Sequence, residues 1–230
     1  MSAIIGSVAE AATKVFGDFI GTKKYGVIYA DPPWAFKTFS TKGLGRSAEA
    51  HYNCMNIDSI KALPVSELAA KDCVLLLWAT DPLLPAAFDM IKAWGFDFKT
   101  IGFYWAKTNK NAPKHFISSN DFFTGMGYWT RANVEQCVLA TRGKPARKSK
   151  AVRKLVIAPR REHSRKPDEM HSYIEALVDG PYLELFSRTN RPGWDNWGAQ
   201  TGVFDLKQFN LPEQRPGAAL NSEPRDDQPG

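Results

Sequence analysis

Cysteine is scarce in this sequence. Cys54, Cys73 and Cys137 are isolated and odd in number, and none sits at metal-ligand spacing from His51, His115, His163 or His171. A zinc finger and a disulfide-stapled secreted scaffold are thereby excluded, and reduced thiols in a cytoplasmic protein without a bound metal are expected. Long apolar runs are missing as well, since nothing approaches the roughly 20 residues of a membrane span. The N-terminal stretch is broken by Glu10, Lys14 and Asp18, so it reads as neither a signal peptide nor an anchor. Acid is absent from residues 142–154, where seven cations stand without an Asp or Glu. Such a run is either a solvated face or a track for a phosphate backbone, and the lack of acidic partners favours the second.

What the chain does contain is an ordinary globular composition: 43% apolar and 23% charged residues over 230 positions, enough for one α/β domain with a sizeable core. The net charge of +6 raises the odds of a polyanionic partner. The stretch that organises the rest is 25–34, in which Val27, Ile28 and Tyr29 suit a strand covered on both faces. It runs into Asp31, then Pro32 and Pro33, which end a strand's hydrogen-bond ladder by removing two backbone donors. Ligands of open α/β sheets bind at the carboxyl ends of strands. A carboxylate, rigid carbonyls and the Trp34 ring there suit a flat amine, although an ordinary Pro-rich turn would read the same locally.

Periodicity fills in the rest. Val8, Ala11, Ala12, Val15, Phe16 and Phe19 predict a short amphipathic helix ending near Gly21. Residues 36–46 predict a loop whose Lys37, Lys42 and Arg46 suit phosphates, with His51 and Tyr52 packed against it. Asn56 caps a helix expected to run through Leu68, and residues 73–78 form a second buried strand. Pro82 opens a helix whose apolar stripe runs from Leu83 to Trp94 and stops at Gly95, followed by a strand over 98–105. In 107–134, Lys107, Lys110 and Lys114 alternate with Phe116, Phe122, Phe123, Tyr128 and Trp129. That interleaving suits a stacked base with its backbone held by cations, or else a loop folded over the sheet. A strand at 135–141 leads into the basic run, where Arg142, Lys144, Arg147 and Lys148 are candidate phosphate contacts, with Arg160, Arg161 and Arg165 extending it towards the site. Pro167 opens a helix through Leu177, Lys166 stands before it facing an expected anion, and a further strand covers 182–188. Residues 205–230 read as a poorly ordered tail.

Asp31-Pro32-Pro33-Trp34 resembles the motif of amino-group methyltransferases that use S-adenosylmethionine, and its Trp ending resembles the MT-A70 family of adenine-N6 methyltransferases. Other segments agree in order: Leu75-Leu-Leu-Trp78, Trp105-Ala-Lys107, Arg165-Lys-Pro-Asp-Glu169, Glu184-Leu-Phe-Ser-Arg188, Trp194 and Trp197-Gly-Ala-Gln200. The resemblance implies a Rossmann-like α/β fold, a mostly parallel twisted sheet flanked by helices, in one methyltransferase domain over 1–204 with the permuted β-class order. It implies that Asp31 and the Pro32 carbonyl take the two N6 hydrogens while Pro33 and Trp34 pack on the base. It further implies S-adenosylmethionine held by Asp31, Lys166 at the methionine carboxylate, and Ser187, Arg188, Asn190 and Gln200 at the ribose and methionine part. Ala199 stands where many relatives carry Asn. Nucleic acid is the implied partner, DNA ahead of RNA, with monomer or homodimer left open. Intact Asp31 to Trp34 and Lys166 argue against a catalytically silent nucleic-acid-binding subunit.

Overall fold

The computed structural model describes residues 21, 23–34, 55–113, 115, 118–125, 127, 129–161 and 165–198. The expected helix before Gly21, the 36–46 loop with Lys37, the pair His51 and Tyr52, Lys114, Phe116, Tyr128, Ala199, Gln200 and the tail lie outside these residues.

In chain order the elements are β1 (Tyr25–Ala30), α1 (Ile57–Lys61), α2 (Val65–Leu68), β2 (Ala69–Ala79), a 3-10 turn (Asp81–Leu83), α3 (Leu84–Ala93), β3 (Asp97–Thr108), a second 3-10 turn (Ser119–Asp121), β4 (Val134–Arg142), β5 (Leu155–Pro159), α4 (Glu169–Leu177), β6 (Tyr182–Leu185) and β7 (Trp194–Trp197). The strands form one sheet in the order β5-β3-β4-β2-β1-β6-β7. Four neighbouring pairs are parallel, and β4 is antiparallel to both β2 and β3. Six strands therefore end at one edge of the sheet, and β4 begins there.

Successive residues of a strand face opposite sides, so β1 and β2 feed two cores at once. Ile28, Leu75 and Leu77 pack with Met90, Ile91 and Trp94 of the α3 region, while Val27, Tyr29, Leu76 and Trp78 pack with Met170 and Ile174 of α4. Burial on both faces is why these strands are nearly unbroken apolar runs. Each fully buried Met or Ile contributes about 1.5–3 kcal/mol relative to exposure. The α3 stripe is as expected, with Gly95 at φ +79° reversing the chain behind it.

The helix expected to run from Asn56 through Leu68 is two short helices. Asn56 caps α1 by accepting the Asp58 N–H at 2.9 Å, but the chain leaves α1 at Ala62 and Pro64 starts α2. Proline disfavours helical backbone in the residue before it, which places the break at Leu63. Among the described residues no helix is long and apolar enough to cross a membrane.

Candidate active site

The turn that follows β1 is held by hydrogen bonds that the prolines themselves do not donate. Trp34 N–H donates to the Pro32 carbonyl at 2.8 Å, Met55 N–H donates to the Pro33 carbonyl at 3.0 Å, and the Trp34 indole N–H donates to the Trp78 carbonyl at 3.1 Å. Trp34 is only 7% exposed. Its ring, expected to pack on a base, is instead a wedge in the α3-side core that fixes the turn, because an indole with its N–H satisfied gains most from burial.

Asp31 leaves this clamped turn into a row of alternating charges at the sheet edge. Lys166 Nζ lies 2.7 Å from Asp31 Oδ2 and 3.1 Å from Glu135 Oε1, Lys107 Nζ lies 2.7 Å from Glu135 Oε2, and Arg188 Nη2 lies 4.0 Å from Asp31 Oδ2. Strand register puts Glu135 there, since β4 starts at the edge where β1 and β3 end and Glu135 faces Trp105. Lys107 is fastened by backbone bonds to Asn133 and Phe123. The two lysines rest on indoles: Lys166 lies 5.3 Å from the Trp78 ring and Lys107 4.8 Å from the Trp105 ring, and these rings meet edge-on at 6.5 Å.

The charges settle unequally. Burial pushes the Asp31 carboxyl above its usual range, against the pull of Lys166 and with the repulsion of Glu135. Burial works on Glu135 in the same direction, but Lys166 and Lys107 together outweigh it and hold Glu135 down to about 2. Lys166 is pushed up, because Asp31 and Glu135 overcome the cost of burying its charge. One shared ammonium thus serves Glu135 fully and Asp31 only in part.

Behind Asp31 a half-open cleft lies between the ends of β1 and β6 and the start of α4; Tyr29, Lys166, Pro167, Glu184, Phe186 and Arg188 line it. Glu184 Oε2 accepts from His171 Nε2 at 2.9 Å, a contact that ties β6 to α4. After β6 the chain turns at Phe186, whose φ of 62° is costly for a side chain of this size. Ser187 is buried; its N–H donates to the Trp197 carbonyl at 3.0 Å and its hydroxyl to the Thr189 carbonyl at 2.6 Å. Glycine is needed at position 198, because the Ser187 backbone lies directly on it: an added Cβ at Gly198 would stand 2.5 Å from the Ser187 carbonyl oxygen. Cations (Lys166, Arg188) beside carboxylates (Asp31, Glu184) at the carboxyl ends of parallel strands form a donor set that fits a zwitterionic amino acid bearing a further positive charge, which describes S-adenosylmethionine.

Residues 25–200 match the family model MT-A70. The chain belongs to the MT-A70 family. It is 30% identical over 196 residues to the type II methyltransferase M.MunI of Mycoplasma sp, an alignment covering 77% of this chain and 78% of that protein. It is 30% identical over 190 residues to the Drosophila melanogaster N(6)-adenosine-methyltransferase MT-A70-like protein, and 28% over 188 residues to the human N(6)-adenosine-methyltransferase catalytic subunit METTL3. Those alignments cover 80% of this chain but 28% and 29% of the relatives, so the chain spans less than a third of their length. As an MT-A70 protein it is an adenine-N6 methyltransferase that uses S-adenosylmethionine as donor.

Asp31, Pro32, Pro33, Trp34, Lys166 and Arg188 come together at this edge, with Ser187 supporting the cleft from behind and the exposed Asn190 beyond it. Lys110 and the fully exposed Trp129 lie in the segment between β3 and β4, on the same edge. Arg142, Lys144, Arg147 and Lys148 do not join them. Because β4 runs antiparallel it carries the chain away from the site, and Arg142 pairs with Cys73 at the far end. Seven residues of strand separate it from Glu135, roughly 24 Å at about 3.4 Å each. Arg160 stays near the site, its guanidinium 4.3 Å from the Phe123 ring, while Arg161 and Arg165 both pair with Asp168. Glu135 was not foreseen as a site residue, and Lys107 was expected to hold a nucleic-acid backbone rather than to pair with Glu135. Their signal was charge at the ends of otherwise apolar strands, legible only once the direction of β4 is known.

Proposed function

We propose that the protein methylates the N6 amino group of adenine carried in DNA, and that the half-buried carboxylate of Asp31, paired with Lys166 on its clamped turn, is the observation that carries this reading. The N6 lone pair is delocalised into the ring, so the amino group attacks only when it is held out of plane. Two acceptors achieve that: the Asp31 carboxylate for one N6 hydrogen and the Pro32 carbonyl for the other. The Pro32 carbonyl already accepts the Trp34 N–H and has a second lone pair to offer. With both hydrogens held, the nitrogen lone pair points into the cleft. S-adenosylmethionine, when bound, supplies a methyl group made electrophilic by its sulfonium. Lys166 keeps Asp31 ionised, and the turn's rigidity keeps the two acceptors in place, so orientation and electrostatics supply most of the acceleration. The surplus proton on N6 leaves to Asp31 or to water, and no stronger base is needed.

DNA as carrier is supported by the likeness to the type II methyltransferase M.MunI, 30% identical over 196 residues. Labelled methyl transfer to matched double-stranded DNA, single-stranded DNA and RNA, followed by nucleoside analysis, decides the polymer. N6-methyladenine in DNA is expected, and label confined to RNA refutes the DNA assignment. Asp31→Ala should abolish transfer while leaving S-adenosylmethionine binding measurable by calorimetry. Retained methylation in that variant sinks the mechanism.

A further inference from the structure

We propose that residues 142–154 are a second nucleic-acid-binding surface, a strap that begins on the sheet edge opposite Asp31 and returns along β3, strands away from β1, so that it holds a phosphate backbone apart from the target adenine. The inference rests on the reading of the substrate as a nucleic acid. This strap holds seven cations and no acid, against +6 for the whole chain, so the other 217 residues together carry a formal charge of −1. All of the protein's positive excess is thus in one place.

The strap is not a loose tail. Lys144 N–H donates to Asp72 Oδ1 at 2.7 Å, Lys148 N–H to the Leu177 carbonyl at 2.8 Å, and the Lys154 carbonyl accepts the Tyr104 N–H at 2.9 Å. Gly143, at φ +65°, lies so close to the Lys71 carbonyl that a Cβ there would overlap it. With the backbone pinned against β2, β3 and the end of α4, the charged side chains point outward from a fixed line, which lowers the ordering cost of binding. Lys144, Arg147, Lys150 and Arg153 are exposed and make no ion pair among the described residues; Lys148 is paired with Asp179 at 3.0 Å on the surface.

The chemistry selects phosphate over protein. Protein interfaces draw most of their affinity from buried aromatic and aliphatic anchors, and the strap's single large apolar side chain is Val152. It also has no Asn or Gln to read a base edge. Lys and Arg on a fixed backbone match sequence-independent phosphate contacts. The length of β4 then separates two events at the start of the strap: phosphates held beside Arg142 and Lys144 lie about seven base pairs from the adenine in the cleft, at about 3.4 Å per pair, or belong to another molecule, and the strap returns from there beside β3 to the level of Tyr104.

The test compares the full chain with its Lys144→Gln/Arg147→Gln/Lys150→Gln/Arg153→Gln variant on DNA of about 12 and about 60 base pairs carrying the same adenine, by fluorescence anisotropy and by methyl transfer at several salt concentrations. On the long DNA the variant should bind at least about a hundredfold more weakly at low salt, with a log–log salt slope smaller by about 3–4 so that the two converge as salt rises. On the short DNA, kcat and KM should stay within about twofold, since only local contacts are used. A variant exchanging Lys for Arg and Arg for Lys at the four positions should behave as the parent. An unchanged salt slope on long DNA, or an equal loss on short and long DNA, overturns the proposal. Anisotropy needs no turnover, so a failure of DNA methylation itself would be seen separately.

Discussion

A carboxylate that accepts hydrogens from adenine N6 has to be ionised, and burial works against that at Asp31. Its proton is held more tightly than in an ordinary Asp of pKa about 3.9, so kcat/KM should fall on the acid side at a pH above that value. Lys166→Met removes the largest opposing influence and should move this acid limb to higher pH, while Lys166→Arg restores part of the shift. Glu135→Gln acts in the other direction: it deletes the charge that competes for Lys166, so the acid limb should move down even as the fold weakens. A pH–rate profile of the three variants checks this, and parallel profiles that differ only in height would refute the shared-ammonium account. The loss of stability follows from the same residue. With a folded pKa of about 2 against about 4.3 unfolded, Glu135 stabilises the protein fully above pH 5 and loses that contribution as the pH falls from about 4 to 2, roughly 3 kcal/mol in all. Asp31 has the opposite sign, favouring the folded state as it gains its proton. Urea unfolding at a series of acid pH values should therefore show a flatter dependence in Glu135→Gln than in the parent.

Among the elements, the turn from β6 to β7 is tightly determined. An added Cβ at Gly198 would stand 2.7 Å from the backbone nitrogen of Ser187 and 2.5 Å from its oxygen, and backbone cannot swing aside as a long side chain can. Gly198→Ala should displace residues 186–189, raising the KM for S-adenosylmethionine about tenfold or more while far-UV circular dichroism stays unchanged. An unaltered KM would show that this turn does not shape the donor's site. The strands were legible in advance for a plain reason: β1 and β2 are buried on both faces, so their apolar runs stand out, and Pro32, Pro33 and Gly95 mark where elements stop. The break between α1 and α2 was missed because Leu63 and Leu68 continue the apolar spacing and conceal the stop at Pro64. The direction of β4 was not legible at all. An apolar strand reads the same whether its partners run with it or against it, and that one unknown decided whether Glu135 or the basic run would lie beside Asp31.

For the molecule as a whole, charge is sorted by edge. The site edge carries half-buried, compensated ions, and the strap that starts at the far edge carries exposed, largely uncompensated cations. Dilute salt should accordingly leave the pH–rate profile on a short substrate almost unmoved, because pairs within the cleft are screened little, while it weakens capture of long DNA steeply. A salt titration of both quantities in one preparation checks the division, and a salt-shifted acid limb would contradict it.

The indoles beneath the charge row have a consequence of another kind. Trp78 and Trp105 carry the ammonium groups of Lys166 and Lys107 on their faces and touch each other, so they sense the electric field at Asp31 directly. Indole emission shifts colour with local field. The protein is in this respect its own optical probe, able to report the ionisation of its reacting carboxylate, and the arrival of an adenine against it, without any attached dye.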